Sequence, residues 1–346
     1  MKETRFIKVG QVAIEDVAKP AIQAPDDVII RVVRTCVCGS DLWGYRGQDQ
    51  MAPHAQNSGH EALGIVDAVG EAITTVVPGD FVIAPFTHGC GHCAACRAGF
   101  EGGCLNHKDN FSNGAQAQYL RFQHGEWALI KVPGHPEDYR EGMLKSLLAL
   151  ADVMATGYHA ARVAHVQPGD TVVVVGDGAV GLCAVIAAKM HGAKRIIAMS
   201  RHADRQALAK EFGATDIIAE RGDAGVAKVM ALTDGAGADA VLECVGTEQS
   251  VDTAVKVGRP GATVGRVGVP HNPEMDLTPV FFRNTAIAGG PASVTTYDKQ
   301  VLLNAVLNGQ ITPGKVFTQT FALDDIDAAY QAMDQRQAIK SYVIVD

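Results

Sequence analysis

The sequence has no run rich in lysine or arginine, no stretch of roughly 18 continuous apolar residues, no low-complexity linker and no internal repeat. Each absence removes a class of function. With no basic cluster and a formal net charge of -8, nucleic acid and an anionic membrane surface are excluded as main partners. Without a long apolar run, no helix is expected to span a bilayer. The amino terminus, Met1-Lys2-Glu3-Thr4-Arg5, lacks the apolar core of a secretory signal, so a cytoplasmic location is expected, where thiols stay reduced. The chain has eight cysteines, which in that setting suit ligands better than bridges. Its 346 residues, 47% hydrophobic and 20% charged, have ordinary globular composition and room for about two domains.

Four of the cysteines, Cys90, Cys93, Cys96 and Cys104, fall within fifteen residues. Short Cys-x2-Cys turns bring successive thiolates to one point, and four sulfurs make a closed tetrahedral zinc site with no open position. Two disulfides or four unrelated buried thiols are the alternatives. A closed site is structural, so any chemistry must lie elsewhere.

Residues 1 to about 150 read as short β segments, among them Val28 to Val33, Leu63 to Val69 and Phe81 to Ala84. Beyond that the pattern alternates. Strands are expected at Thr171 to Val175, Arg195 to Met199, Ala240 to Val245, Thr263 to Val269 and Thr285 to Ala288, with helices at Val180 to His191 and Arg205 to Phe212. This is the grammar of a doubly wound parallel sheet of six strands. Asp298 to Asn308 and Asp324 to Asp334 read as amphipathic helices, and Ser341 to Val345 as a terminal strand returning to the first region.

The strand Thr171 to Val175 runs into Gly176-Asp-Gly178-Ala179-Val180-Gly181 and then a helix. In that context the glycines permit a tight turn, the close approach of a pyrophosphate and a helix start facing the phosphates. The next strand ends in Ser200, Arg201 and His202, with Arg205 following, where a reader of unphosphorylated dinucleotide carries Asp or Glu. Guanidinium donors match a 2′-phosphate, so NADP(H) is expected over NAD(H). The alternative is that the arginines merely solvate a helix start.

A second metal site is offered by Cys38, His60 and Asp152: a thiolate, an imidazole and a carboxylate that leave a fourth position open. Cys38-x-Ser40-Asp41, Gly59-His60-Glu61-x2-Gly64-x5-Gly70, the cysteine lobe and the glycine turn, in this order, resemble the zinc-dependent medium-chain alcohol dehydrogenase family in its bacterial NADP-type branch. The resemblance covers essentially the whole chain. It implies an α/β protein: a GroES-like, β-rich catalytic domain over 1–152, rejoined by 291–346, and a Rossmann coenzyme domain over 153–290, with the active cleft between them. It further implies Cys38, His60 and Asp152 as ligands of a catalytic zinc and Glu61 as a carboxylate that in some members moves in to ligate. Ser40 would bond the substrate oxygen and start a proton relay, and Lys340 matches a basic position near the pyrophosphate. Trp43 stands where many relatives carry a relay histidine.

The implied activity is hydride transfer between NADP(H) and a small alcohol, ketone or aldehyde by a homotetramer or dimer. A polyol dehydrogenase, or a non-catalytic zinc-stabilised nucleotide binder, is the alternative. Cys36, Cys183 and Cys244 read as small buried hydrophobes, and His54, His88, His92, His107 and His124 as loop histidines without ligand spacing. Trp43, Phe86 and Asn110 are candidate pocket walls.

Overall fold

The computed structural model describes residues 1–56, 59–106, 110–270, 275–292 and 296–345. The chain divides into two compact units, Met1–Asp152 with Ser293–Asp346, and Val153–Ala292. In the first, β1 (Lys2–Lys8) and β2 (Gln11–Asp16) form an antiparallel hairpin, followed by β3 (Val28–Cys36), β4 (Ala62–Val69), β5 (Phe81–Ala84), β6 (Tyr119–Phe122) and β7 (Ile130–Val132). The second unit contains β8 (Thr171–Val175), β9 (Arg195–Met199), β10 (Asp216–Ile218), β11 (Ala238–Glu243), β12 (Gly258–Arg266) and β13 (Ala286–Gly289). The chain then supplies the first unit with β14 (Phe317–Ala322) and β15 (Lys340–Ile344).

The first unit's main sheet has seven strands in the order β14-β15-β3-β4-β5-β7, with β6 also paired to β3. Val28, Ile30, Val32, Val66 and Val82 point into a core closed by Phe122 and by Tyr330 of the helix Ile326–Asp334. These strands carry consecutive apolar residues rather than an alternating pattern, and Ile29, Val33, Leu63, Phe81 and Ile83 are buried as well, so both faces of the sheet are covered. The return of β15 against β3 sets Lys340, its first residue, inside this unit.

The second unit's sheet is wholly parallel, in the order β10-β9-β8-β11-β12-β13. This is the doubly wound order of a dinucleotide-binding fold. Its central strand is nearly all valine because both faces are covered, and Val172, Val173 and Val174 are each fully buried. β10 spans three residues, too short to leave a periodic signal.

Two expected strands end earlier than their apolar runs suggested. β11 stops at Glu243 because its Oε1 accepts the backbone N–H groups of Val245 and Gly246, both at 2.8 Å, and turns the chain. β12 stops at Arg266, short of the expected Val269, where a Cβ on Gly268 would sit 2.2 Å from the Gly246 nitrogen. Two backbones touch there, and a continued strand would separate them. Among the described residues no helix is long and apolar enough to cross a membrane.

His159, on the helix Val153–Val163, is almost fully buried, and burial together with the Arg162 charge holds its pKa down to about 4. The unfolded chain would bind a proton near pH 6.5 where the folded one does not, so stability is expected to fall as pH drops from about 6.5 toward 4. The shift corresponds to about 3 kcal/mol by the ordinary conversion. Denaturant midpoints at pH 7 and pH 4.5 should therefore differ less in His159→Gln than in the parent; an equal difference would acquit this residue.

Candidate functional site

Cys38, His60, Glu61 and Asp152 come together although the first and last are far apart in the sequence, and one donor atom from each lies within 4.8 Å of the others. Cys38 follows the end of β3, His60 and Glu61 immediately precede β4, and β3 pairs antiparallel with β4 with Thr35 opposite Ala62, which makes the first three neighbours. Asp152 arrives through the 3₁₀ turn Ala149–Ala151, fixed by the Phe86 N–H donating to the Ala151 carbonyl at 2.9 Å. The Cys38 Sγ is 3.4 Å from Asp152 Oδ2, and His60 Nε2 is 3.6 Å from that oxygen and 3.8 Å from Glu61 Oε1. Donors about 2.0–2.3 Å from a shared centre at tetrahedral angles lie roughly 3.3–3.8 Å apart, so the set fits zinc. Glu61 Oε2 is buried with no hydrogen-bond partner among the described residues, as expected of an oxygen kept for a cation.

The surroundings fix the ligands. Asp41 Oδ1 lies 3.5 Å from His60 Nδ1, and Asp41 Oδ2 accepts the Cys38 N–H at 2.9 Å and the Gln116 amide at 3.1 Å. Gln116 is held in turn by the Tyr330 hydroxyl at 2.9 Å. A carboxylate on Nδ1 selects the tautomer that turns Nε2 toward a metal. Burial opposes charge on His60, but Asp41, Asp152 and Cys38 together outweigh it and push its pKa well up. Asp41 stood in the quoted motif, yet nothing local revealed its role, and Gln116 left no sequence signal at all.

Ser40 opens the short helix Asp41–Tyr45 without capping it through its side chain, which weighs against a purely local turn role. Lys340 is 1% exposed, and its Nζ donates to Glu61 Oε1 at 2.6 Å and to the Val37 carbonyl at 3.2 Å. Burial alone would depress its pKa, but the surrounding Cys36, Glu61, Cys38 and Asp152 raise it well above the usual lysine value. Phe86 stacks obliquely beside His60, with ring centroids 6.0 Å apart. Asn110 directs its amide to the Gly102 and Cys104 carbonyls and so braces the cysteine lobe.

In that lobe Cys90, Cys93, Cys96 and Cys104 form the second cluster, all eight cysteines being free thiols. The Cys90–Cys96 and Cys93–Cys104 sulfur separations are 4.0 and 3.9 Å, close to the roughly 3.8 Å that four sulfurs around zinc require. Donation from the Cys96 and Leu105 backbone N–H groups lowers the Cys93 pKa to about 6, which favours the thiolate a metal needs. Among the described residues no third group gathers in this way. His54 pairs with Glu15, His124 with Asp26, and His92 with the Cys90 carbonyl. His88 packs against Phe122, and His107 lies outside the described residues. Cys36 and Cys183 are buried, and burial holds the Cys36 and Cys244 thiols up.

The glycine turn suits a pyrophosphate. Gly176 has φ +119°, which other residues rarely adopt. A Cβ on Gly181 would meet the Gly176 carbonyl oxygen at 2.1 Å, whereas one on Gly178 would enter open space. Gly178 precedes the helix Ala179–Met190, begun by Ala179 and Val180 and capped by no side chain. Such a helix end is disposed to bind an anion. At the end of β9, Ser200 is buried, Arg201 exposed and His202 half-buried, and Arg205 reaches back toward the turn.

A β-rich unit carrying two zinc-type donor sets and a doubly wound unit with a phosphate-ready turn define a class, the zinc-dependent, dinucleotide-linked oxidoreductases. Comparison with known proteins narrows it. The alcohol dehydrogenase GroES-like domain matches residues 24–134, and the zinc-binding dehydrogenase domain matches residues 179–302. The NADP-dependent isopropanol dehydrogenase of Thermoanaerobacter brockii is 30% identical over 358 residues, covering 100% of both chains. The zinc-type alcohol dehydrogenase B of Aspergillus flavus is 34% identical over 318 residues, 87% of this chain and 72% of that one. A solved alcohol dehydrogenase from Thermus sp. ATN1 matches with a TM-score of 0.89 and 31% identity, covering 100% of both chains. The chain belongs to the zinc-dependent medium-chain alcohol dehydrogenase family.

Proposed function

We propose that this protein transfers a hydride between NADP(H) and a small alcohol, ketone or aldehyde. In this reading Met1–Asp152 with the returning carboxy-terminal segment is the catalytic domain, and the doubly wound unit is the coenzyme domain. Cys38, His60 and Asp152 hold the catalytic zinc, Glu61 is a reserve ligand, and the four-cysteine lobe holds the structural zinc. The observation that carries the proposal is the convergence of Cys38, His60 and Asp152 around a histidine already oriented by Asp41. A closed structural site would need neither an incomplete protein donor set nor a buried reserve carboxylate.

When bound, zinc would supply Lewis acidity toward the substrate oxygen and the nicotinamide would supply the hydride chemistry. The chain's own residues do the rest. Asp41 keeps His60 Nδ1 protonated so that Nε2 stays a donor pair for the metal. Ser40 Oγ relays the proton: on oxidation it accepts the substrate hydroxyl proton while its own hydroxyl proton passes outward to solvent, and on reduction both transfers reverse. Phe86, beside His60, screens that exchange from water. Lys340 supports the site by holding Glu61, and the exposed Arg201 with Arg205 favours a 2′-phosphate. Trp43, in place of a relay histidine, offers no exchangeable basic nitrogen and so does not extend the proton path beyond Ser40. The homotetramer would cover Leu277, Phe281 and Phe282, exposed just before the edge strand β13, and sedimentation velocity reads its mass.

Initial rates with NADPH and NADH against short ketones, aldehydes and keto-sugars test this reading. Turnover of simple carbonyls with NADPH preferred is expected, and Ser40→Ala should lower kcat about a hundredfold, the scale of general acid–base assistance. A Ser40→Ala rate near that of the parent would remove Ser40 from the mechanism. Absence of turnover by zinc-replete protein with either cofactor would overturn the enzyme reading.

A further inference from the structure

The subsite expected to take the 2′-phosphate holds one more group. Asp177, the second residue of the glycine turn, projects its carboxylate to the end of β9. Its Oδ2 accepts the Ser200 hydroxyl at 3.0 Å and the Arg201 backbone N–H at 3.1 Å. Its Oδ1 accepts from Arg205 Nη1 at 3.2 Å, and the same nitrogen reaches the Asp177 carbonyl at 3.3 Å. The pair is largely enclosed, with side-chain exposures of 10% for Asp177 and 14% for Arg205. Burial opposes ionisation of Asp177, but the Arg201 N–H, the Arg205 charge and the Ser200 hydroxyl outweigh it and hold its pKa below the usual carboxylate value. At neutral pH the group is a carboxylate.

A dinucleotide-binding unit that takes the unphosphorylated cofactor carries an acid at the end of its second strand, where it accepts the ribose hydroxyls. Ser200 stands at that end here, one hydrogen bond from Asp177 Oδ2. The negative charge missing from β9 is thus returned to the same place from the glycine turn, 23 residues upstream. It also engages the Ser200 hydroxyl and one edge of Arg205, two of the donors that a 2′-phosphate would need, and leaves the exposed Arg201 side chain as the nearby cation. A carboxylate can accept from a 2′-hydroxyl; it repels a 2′-phosphate carrying up to two negative charges.

We propose that Asp177 is the specificity-determining residue of the adenosine-ribose subsite: it accepts the ribose hydroxyls of an unphosphorylated dinucleotide and opposes a 2′-phosphate, so that the chain uses NAD(H) alongside NADP(H). The proposal rests on the dinucleotide-dependent reading above and refines which form of the cofactor is admitted. Asp177→Asn keeps the shape and removes the charge.

Calorimetric binding of 5′-AMP and 2′,5′-ADP to the zinc-replete full chain reads the subsite without any need for turnover. Asp177→Asn should tighten 2′,5′-ADP relative to 5′-AMP about tenfold or more, a modest estimate for one nearby charge at partial burial. The ratio of kcat/KM for NADPH over NADH should rise in the same direction. A ratio that stays put overturns the proposal, and so does one that falls, because Asp177 would then be a clamp that arranges Arg205 for the phosphate. Asp177→Ser, which retains an acceptor for the Arg201 N–H, carries the test if the Asn protein folds poorly. Fragment binding with the predicted shift but no turnover would leave this subsite standing and remove the catalytic reading; turnover with no shift would do the reverse.

Discussion

Cys38→Ala is expected to lower turnover by at least about a thousandfold, beyond the 10–100-fold typical of losing an outer partner of a metal ligand. The thiolate is the only sulfur in a donor set otherwise made of imidazole and carboxylate. Removing it leaves His60 and Asp152 with Glu61, a harder and looser group for zinc. The same substitution should release one of the two zinc equivalents expected from the two clusters while the four-cysteine lobe keeps the other. Elemental analysis after dialysis, together with steady-state rates, checks both parts. Asp41→Asn is the informative companion, since it leaves every ligand in place but alters the His60 tautomer, and its loss should fall in the 10–100-fold range. A Cys38→Ala enzyme that kept near-normal turnover would move the chemistry to another part of the chain.

Lys340→Met is expected to reduce the unfolding free energy by about 3–5 kcal/mol, the usual consequence of removing one partner of a buried ion pair. Lys340 and Glu61 are each 1% exposed and 2.6 Å apart, so neither can turn to water when the other goes. Burial already holds the Glu61 pKa above its ordinary value, and the Lys340 charge works against that rise. Without Lys340 the folded-state pKa climbs further. The variant should therefore be most stable below the unfolded carboxylate value of about 4.3 and lose stability as pH rises through its raised folded value. Adding Glu61→Gln should recover much of the loss and flatten the pH dependence. Urea titrations at several pH values measure this, and a loss under about 1 kcal/mol would mean that the pair behaves as an exposed one.

The two donor sets differed in how far the sequence disclosed them. The cysteine quartet is local: two-residue spacers and glycines bring its sulfurs together whatever the rest of the fold does, so spacing alone was enough to suggest it. Cys38, His60 and Asp152 are separated by stretches that only the β3–β4 ladder and the turn before Asp152 bring together. As single residues they carried little information, and their order along the chain, through its resemblance to a family, supplied the rest. Asp41 stood within the motif without a visible role because a second partner for histidine depends on side-chain direction.

The glycine turn shows the same division inside one short segment. Its strand–turn–helix context was legible, since the backbone demands of Gly176, Gly178 and Gly181 are written in residue type. Asp177 passed as filler between two glycines, because its contact with Ser200, Arg201 and Arg205 joins the ends of two adjacent strands. Lys340 matched a basic position near the pyrophosphate through the family resemblance alone, with a solvated lysine as the alternative; the pairing of β15 with β3 buries it and sets its ammonium on Glu61.

By itself the sequence determined the two architectures, the cysteine cluster and the glycine turn, for all of these follow from local periodicity and spacing along one stretch of chain. The tertiary structure decided which polar groups meet: Asp41 at His60, Lys340 at Glu61, and Asp177 at Arg205. Electrostatic pairing acts through space over a few ångströms, and residues distant along the chain acquire such separations only when strands are laid side by side.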